Sequence, residues 1–198
     1  MASLLDNVMS VILGGAVLFL LAVLMLTMRT ASTGQTLDTT VQSNLATVTD
    51  IIENDFRRVG YKVAVPPSDS AIYYATPDSI NMKGDIDSNE TVDNIWYYWG
   101  KTRPAGNVNP QSRYLYRSVN GVVQVMNDGI TLLHFAYFDS LGNQLTASPH
   151  VASPSKINSV KVTINLASPF PSQISTHDTT YSYANWEQTL KPRNLKVH

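Results

Sequence analysis

From Val8 to Met28 the chain reads VMSVILGGAVLFLLAVLMLTM, 21 residues without a charge. As a helix rising about 1.5 Å per residue, this run spans roughly 30 Å, the thickness of a bilayer's hydrocarbon core. It exceeds the apolar stretch of about 7–15 residues usual in a cleavable secretory signal. A single-pass membrane anchor is the stronger alternative, and the residues beyond the run bear on it.

Leu37, Val41, Leu45, Val48, Ile52, Phe56 and Val59 follow at intervals of three and four residues. That spacing draws one continuous apolar stripe along a helix. Asp38, Asp50, Glu53, Asp55, Arg57 and Arg58 are expected mostly on the other faces. Gly60 stands where a left-handed cap would end the helix, and no proline lies between Met1 and Val65. The pattern predicts one helix over residues 3–59, about 85 Å long, with its weakest point at Thr33-Gly34. A single domain formed by the rest of the chain cannot cover such a rod. Its first half must find partners outside its own fold.

Asp6 is the one charged residue among the first 28, so nearly all of the 14 Lys+Arg and 15 Asp+Glu lie beyond the apolar run. Two readings of Asp6 stand. An acid at a helix start gains from the positive end of the macrodipole as a cap. An ionisable group at a membrane boundary is otherwise a functional group needing a partner. The net charge of −1 carries no footprint for nucleic acid. The absence of Cys excludes a disulfide framework, a thiolate zinc site and a cysteine nucleophile.

After Gly60 the apolar period changes from 3.6 to 2, the mark of strands. Tyr114–Val119, the dipeptide Asn120-Gly121 and Val122–Met126 predict a hairpin with a type I′ turn. Further strands are expected at Ile72–Tyr74, Ile95–Trp99, Ile130–Asp139, Val160–Leu166 and Tyr181–Leu190. Residues 66–70, 84–94, 102–112 and 147–155 are rich in turn formers and are expected as loops. The expected class is α+β: a long N-terminal helix whose C-terminal half packs on an antiparallel β-sheet. Residues 1–30 form the hydrophobic rod, 31–60 its amphipathic continuation and 61–198 a β-rich head.

Candidate chemistry is sparse. Asp85, Asp87 and Asn89 alternate like the oxygen ligands of a calcium loop, but Glu90 and Trp96 stand where that pattern requires Gly and a bidentate acid. No metal site is therefore assigned, and an ordinary acidic loop is the expectation. Asn89-Glu90-Thr91 is an N-glycosylation triplet, with Asp87 two residues earlier as in the acidic bacterial form. In the run Trp96-Tyr97-Tyr98-Trp99, strand alternation predicts one pair in the core and one at the surface. His134, His150, His177 and His198 lack metal-pair spacing, and His134 is expected as a structural strand residue. No nucleophile-elbow, H-E-x-x-H or phosphate-loop pattern occurs, so no catalytic residue, enzyme activity or cofactor is expected.

Taken together these features resemble the type IV pilin and type II secretion pseudopilin superfamily. Ala2-Ser3-Leu4-Leu5-Asp6 can be laid on its Phe-Thr-Leu-x-Glu start, and removal of Met1 makes Asp6 the fifth residue, where the family keeps glutamate. Asp55-Phe56-Arg57-Arg58-Val59-Gly60-Tyr61 looks like the D-x-R-x-x-G-[YF] close of the long helix in the larger minor-pilin and pseudopilin-type subunits. Phe135 to Asn143 is similar to their F-x-Y-x-D-x-x-G strand and turn, Ile157–Ile164 to the next strand, and Pro192-Arg193-Asn194-Leu195 to their ending.

The resemblance implies a structural subunit that waits in the inner membrane and is then built by assembly machinery into an extracellular, pilus-like filament of its own copies. Asp6 would then neutralise the N-terminal amine of a neighbour. Gly14, Gly15 and Ala16 would let helices approach closely. The first alternative is a minor subunit at the tip of a pilus or secretion pseudopilus. Outside the family, the alternative is a membrane-anchored binding module that never polymerises.

Overall fold

The computed structural model describes residues 2–63, 70–174, 179–192 and 194–195. One helix, α1 (Ala2–Arg58), runs unbroken through Thr33-Gly34. Seven antiparallel strands follow in spatial order: β1 (Ile72–Thr76), β2 (Ser79–Gly84), β3 (Asp93–Trp99), β4 (Arg113–Val119), β5 (Val122–Phe138), β7 (Ser159–Ile174) and β8 (Thr179–Leu190). The two-residue β6 (Gln144–Leu145) pairs with the end of β5. The fold is α+β, as expected.

The predicted stripe is the helix's buried edge. Val41, Leu45, Val48, Ile52, Phe56 and Val59 are all buried, while Leu37, farther out, is half-exposed. They pack over β7 and β8 and reach β5. From the sheet, Val160, Val162, Ile164 and Leu166 meet them at the alternate positions of β7. The sheet curls: the Phe135 N–H donates to the Pro77 carbonyl at 2.8 Å, and the Tyr137 hydroxyl to the Thr76 carbonyl at 2.7 Å. β1 is thereby drawn in over the second half of β5, and Ile72, Ile80 and Ile95 join the same core as the helix stripe.

Three departures from the sequence-based expectation have local causes. Val122–Met126 and the expected strand from Ile130 merge into one 17-residue strand ending at Phe138, one residue short of Asp139, because bulges opposite Arg113–Tyr116 absorb Met126 and Asp128-Gly129 without ending the ladder. β7 continues past Leu166 through Pro169 and Pro171. Beyond that point it pairs with β8 alone, where missing N–H groups are tolerated. β2 was not expected; its two core residues, Ile80 and Met82, sit between the turn-forming Pro77-Asp78 and Gly84-Asp85. The hairpin at Asn120-Gly121 is present, with φ of 51° and 85° at its two turn residues.

Two of the quoted motifs acquire a physical meaning. In Phe135–Asn143, Phe135 and Tyr137 fill the core, and Asp139 closes the turn by accepting the Leu141 and Asn143 N–H groups at 2.9 and 2.8 Å. Hydrogen bonds from the Asn143 side chain and backbone hold the Asp139 carboxyl below its usual range. At the end of α1, Gly60 has φ +77°, and a Cβ there would stand 2.6 Å from the Asn194 carbonyl oxygen. The helix close and the chain's ending therefore meet at one point. Of that ending, Arg193 lies outside the described residues, as do residues 66–69 of the first expected loop.

Candidate assembly surface and the helix–head junction

Among the described residues, none of the apolar window in the first half of α1 is buried by the rest of the chain. This 18-residue window has a mean hydropathy of 2.7. Leu4 and the large apolar side chains from Val8 to Met28 are 42–75% exposed. The helix is long and apolar enough to cross a membrane. An apolar surface of this extent, wrapping every face of a rod, needs lipid or other helices around it.

The rod's candidate assembly residues are placed unevenly. Asp6 is exposed and lies in α1 four residues beyond Ala2. Gly14 and Gly15 have nothing within 4 Å of where a Cβ would stand, leaving the backbone open on that side. At 3.6 residues per turn, Gly15 stands about half a turn around the helix from Asp6 and about 13 Å along it. Asp6 and Gly15 thus lie on opposite sides of the rod.

Between rod and head the helix is lined with hydroxyls, a feature not singled out from the sequence. Thr33, Thr36, Thr39 and Thr40 each donate to the carbonyl four residues back, at 2.8–2.9 Å. These hydroxyls thus find their hydrogen-bond acceptors on their own helix.

At the head end, the structure corrects the expected placement of Asp55. It is buried, not on an outer face. Arg117 on β4 forks onto it, with Nε to Oδ2 at 2.7 Å and Nη2 to Oδ1 at 3.0 Å. The Tyr97 hydroxyl on β3 donates to the same Oδ2 at 2.5 Å. Burial, with the Asp55 charge added, pushes the Tyr97 hydroxyl well above its usual range. Burial alone would lower Arg117, but its hydrogen bonds to Asp55 and Tyr97 together with the charges of those groups outweigh it and raise the guanidinium further. The carboxylate is thus a clamp tying the end of the helix to β3 and β4. The motif position of Asp55 marked it as a helix close; no signal in the sequence marked its partners.

The acidic loop is closed upon itself. Oxygens of Asp85, Asp87 and Asp93 lie within 4.8 Å of one another. Those of buried Asp85 accept the Asn89 and Glu90 N–H groups, both at 3.2 Å, and Asp93 accepts from Ile86 and Asn120. Lys62 supplies a positive charge 3.6 Å from Asp85. Burial would raise the Asp85 carboxyl; the Glu90 and Ser88 amides and Lys62 outweigh it and hold it below its usual range. Of the three calcium candidates, Asp85 is buried while Asp87 and Asn89 are exposed; Asp85 and Asp87 converge with Asp93, and the Asn89 side chain donates to Asp87 Oδ2 at 2.8 Å. Arg58, from the last turn of α1, reaches the Ile86 carbonyl and the Ser88 hydroxyl and joins this loop to the helix end.

The aromatic run divides as alternation predicts. Tyr97 is buried and Trp99 packs against the core, while Trp96 is exposed and Tyr98 half-buried. Trp96, Tyr98, Tyr116 and Tyr114 form a ladder across β3 and β4, with ring centroids 4.5, 5.0 and 5.6 Å apart. Exposed Val122, Val123 and Val125 add an apolar tip to the β4–β5 hairpin. His134 is exposed on β5, not the structural strand residue expected, and exposed His150 stacks on Tyr74. His177 and His198 lie outside the described residues. Compared with known protein families and with curated proteins, the chain matches none.

Proposed function

We infer that this chain is a structural subunit of a pilus-like extracellular filament, held in the inner membrane before assembly. One observation carries the reading: a single 57-residue helix, buried along one edge at its C-terminal half and bare on every face of its apolar N-terminal half. A flexible linker would suffice for a plain membrane anchor. Here the helix leaves the apolar run without a break and is clamped into the head by Asp55 and Arg117. Rod and head thus share one continuous helix, as subunits need if packed rods are to set the spacing of their heads. Copies of the chain would cover one another's rods, with the heads outside in repeating lateral contacts. The exposed hairpin valines and the aromatic ladder are the head surfaces suited to those contacts.

In a core of packed apolar helices Asp6 must be paired, since an isolated buried charge is costly. A neighbour's N-terminal amine is the partner that the pilin resemblance suggests. Asp6→Ala is expected to leave membrane insertion intact and to impair assembly, read by fractionation and by electron microscopy of sheared cell-surface material. Normal filaments from that variant would remove Asp6 from its role. The second reading, a minor subunit at a filament tip, draws on the Asp55–Tyr61 and Phe135–Asn143 motifs shared with larger subunits. It predicts few copies per filament.

A further inference from the structure

We propose that Asn89 is an N-glycosylation acceptor, taking an oligosaccharide from a lipid-linked pyrophosphate donor. The proposal rests on the reading above in one respect: the head must lie outside the cytoplasm, where such donors are presented. Asn89-Glu90-Thr91 is the single Asn-x-Ser/Thr triplet in the chain. A triplet alone means little, and its surroundings give it weight.

The loop joining β2 to β3 holds its backbone and exposes its acceptor. The Asn89 N–H is pinned to Asp85 and Asp87 at 3.2 and 3.1 Å, while residues 87–90 are all exposed. Ser88 and Glu90, on either side, both have positive φ, 64° and 70°. The loop sits beside the last turn of α1, about 45 Å of helix beyond the apolar run, clear of the surface that assembly would bury.

The residues two before and two after Asn89 bracket its carboxamide. Asp87 Oδ2 accepts from Nδ2 at 2.8 Å. On the other side Oδ1 accepts the Thr91 N–H at 2.8 Å and also the Thr91 hydroxyl. A carboxamide nitrogen is a poor nucleophile because its lone pair is delocalised onto oxygen. A carboxylate accepting its N–H draws on the proton that must leave. In the transfer, Nδ2 bonds to C1 of the donor's first sugar and the C1–O bond to pyrophosphate breaks. The lipid pyrophosphate leaves with the electron pair, and the Nδ2 proton passes to a base of the transferase. No oxidation or reduction is involved. Asp87 and Thr91 act here as positioning residues.

The test is mass spectrometry of the full chain from its native cells. Trypsin releases residues 84–101 as one peptide carrying the triplet. Its mass is expected to increase by an intact glycan, with the site at Asn89. Asn89→Gln and Thr91→Ala should return the unmodified peptide, Thr91→Ser should keep the glycan, and Asp87→Ala should lower the occupied fraction. These exposed substitutions leave the core untouched. An unmodified native peptide overturns the proposal, as does a glycan that survives Asn89→Gln. Protease accessibility of the head in intact cells separates the two readings. An accessible head with bare Asn89 removes the glycan alone; an inaccessible head removes the extracytoplasmic location and the glycan with it.

Discussion

Asp55 lies within the last turn of α1, and its carboxylate is divided between a guanidinium and a phenol from two different strands. Both charged side chains are largely buried, at 8% and 16% exposure. Removing one member of such a pair strands the other, at a cost of about 3–5 kcal/mol, whereas apolar replacement of both is often close to neutral. Asp55→Ala is therefore expected to lower the urea midpoint of the detergent-solubilised chain by a corresponding amount. Asp55→Leu with Arg117→Met should recover most of it, and purely additive losses would show that the clamp is not one unit. The period of the helix sends a charged residue to the solvent side, and at Asp50 that reasoning holds. At Asp55 it fails because the partners lie 42 and 62 residues away, and only the folded sheet brings them together.

At the scale of elements, the helix was the most legible part of the sequence. Seven stripe positions repeat one geometric rule; six are buried, and Leu37 at the outer end is half-exposed. Strands were legible where apolar residues alternate for several positions, as at β4 and β7, and the Asn120-Gly121 turn was legible from its chemistry. β2 was not, because two core residues between turn formers give too short a signal. The length of β5 was hidden by bulges, which no alternation rule anticipates. Gly60 was read as a cap, and its second constraint, the Asn194 carbonyl, came only with the structure. Gly60→Ala should therefore cost more than the roughly 1–2 kcal/mol of a left-handed alanine alone. Gly106→Ala is the control: it shares a positive φ, 81°, but has open space around it. Equal losses in the two variants, measured by urea unfolding, would discount the contact with Asn194.

Across the whole molecule two surfaces coexist that one environment cannot satisfy. The head is a closed core of curled sheet and helix edge facing water, while the rod is apolar on all sides. The low share of charge in the chain, 15%, reflects that division. The rod was fully legible as a surface in need of partners. Which partners it takes was not, because lipid and neighbouring helices offer the same apolar contact. The filament account is tested most directly by cryo-electron microscopy of material sheared from native cells. It predicts filaments of this chain with α1 rods packed at the centre and heads around them, every rod covered by its neighbours. Finding the chain only as membrane-held monomers, or in filaments whose rods lie outside the core, would contradict it.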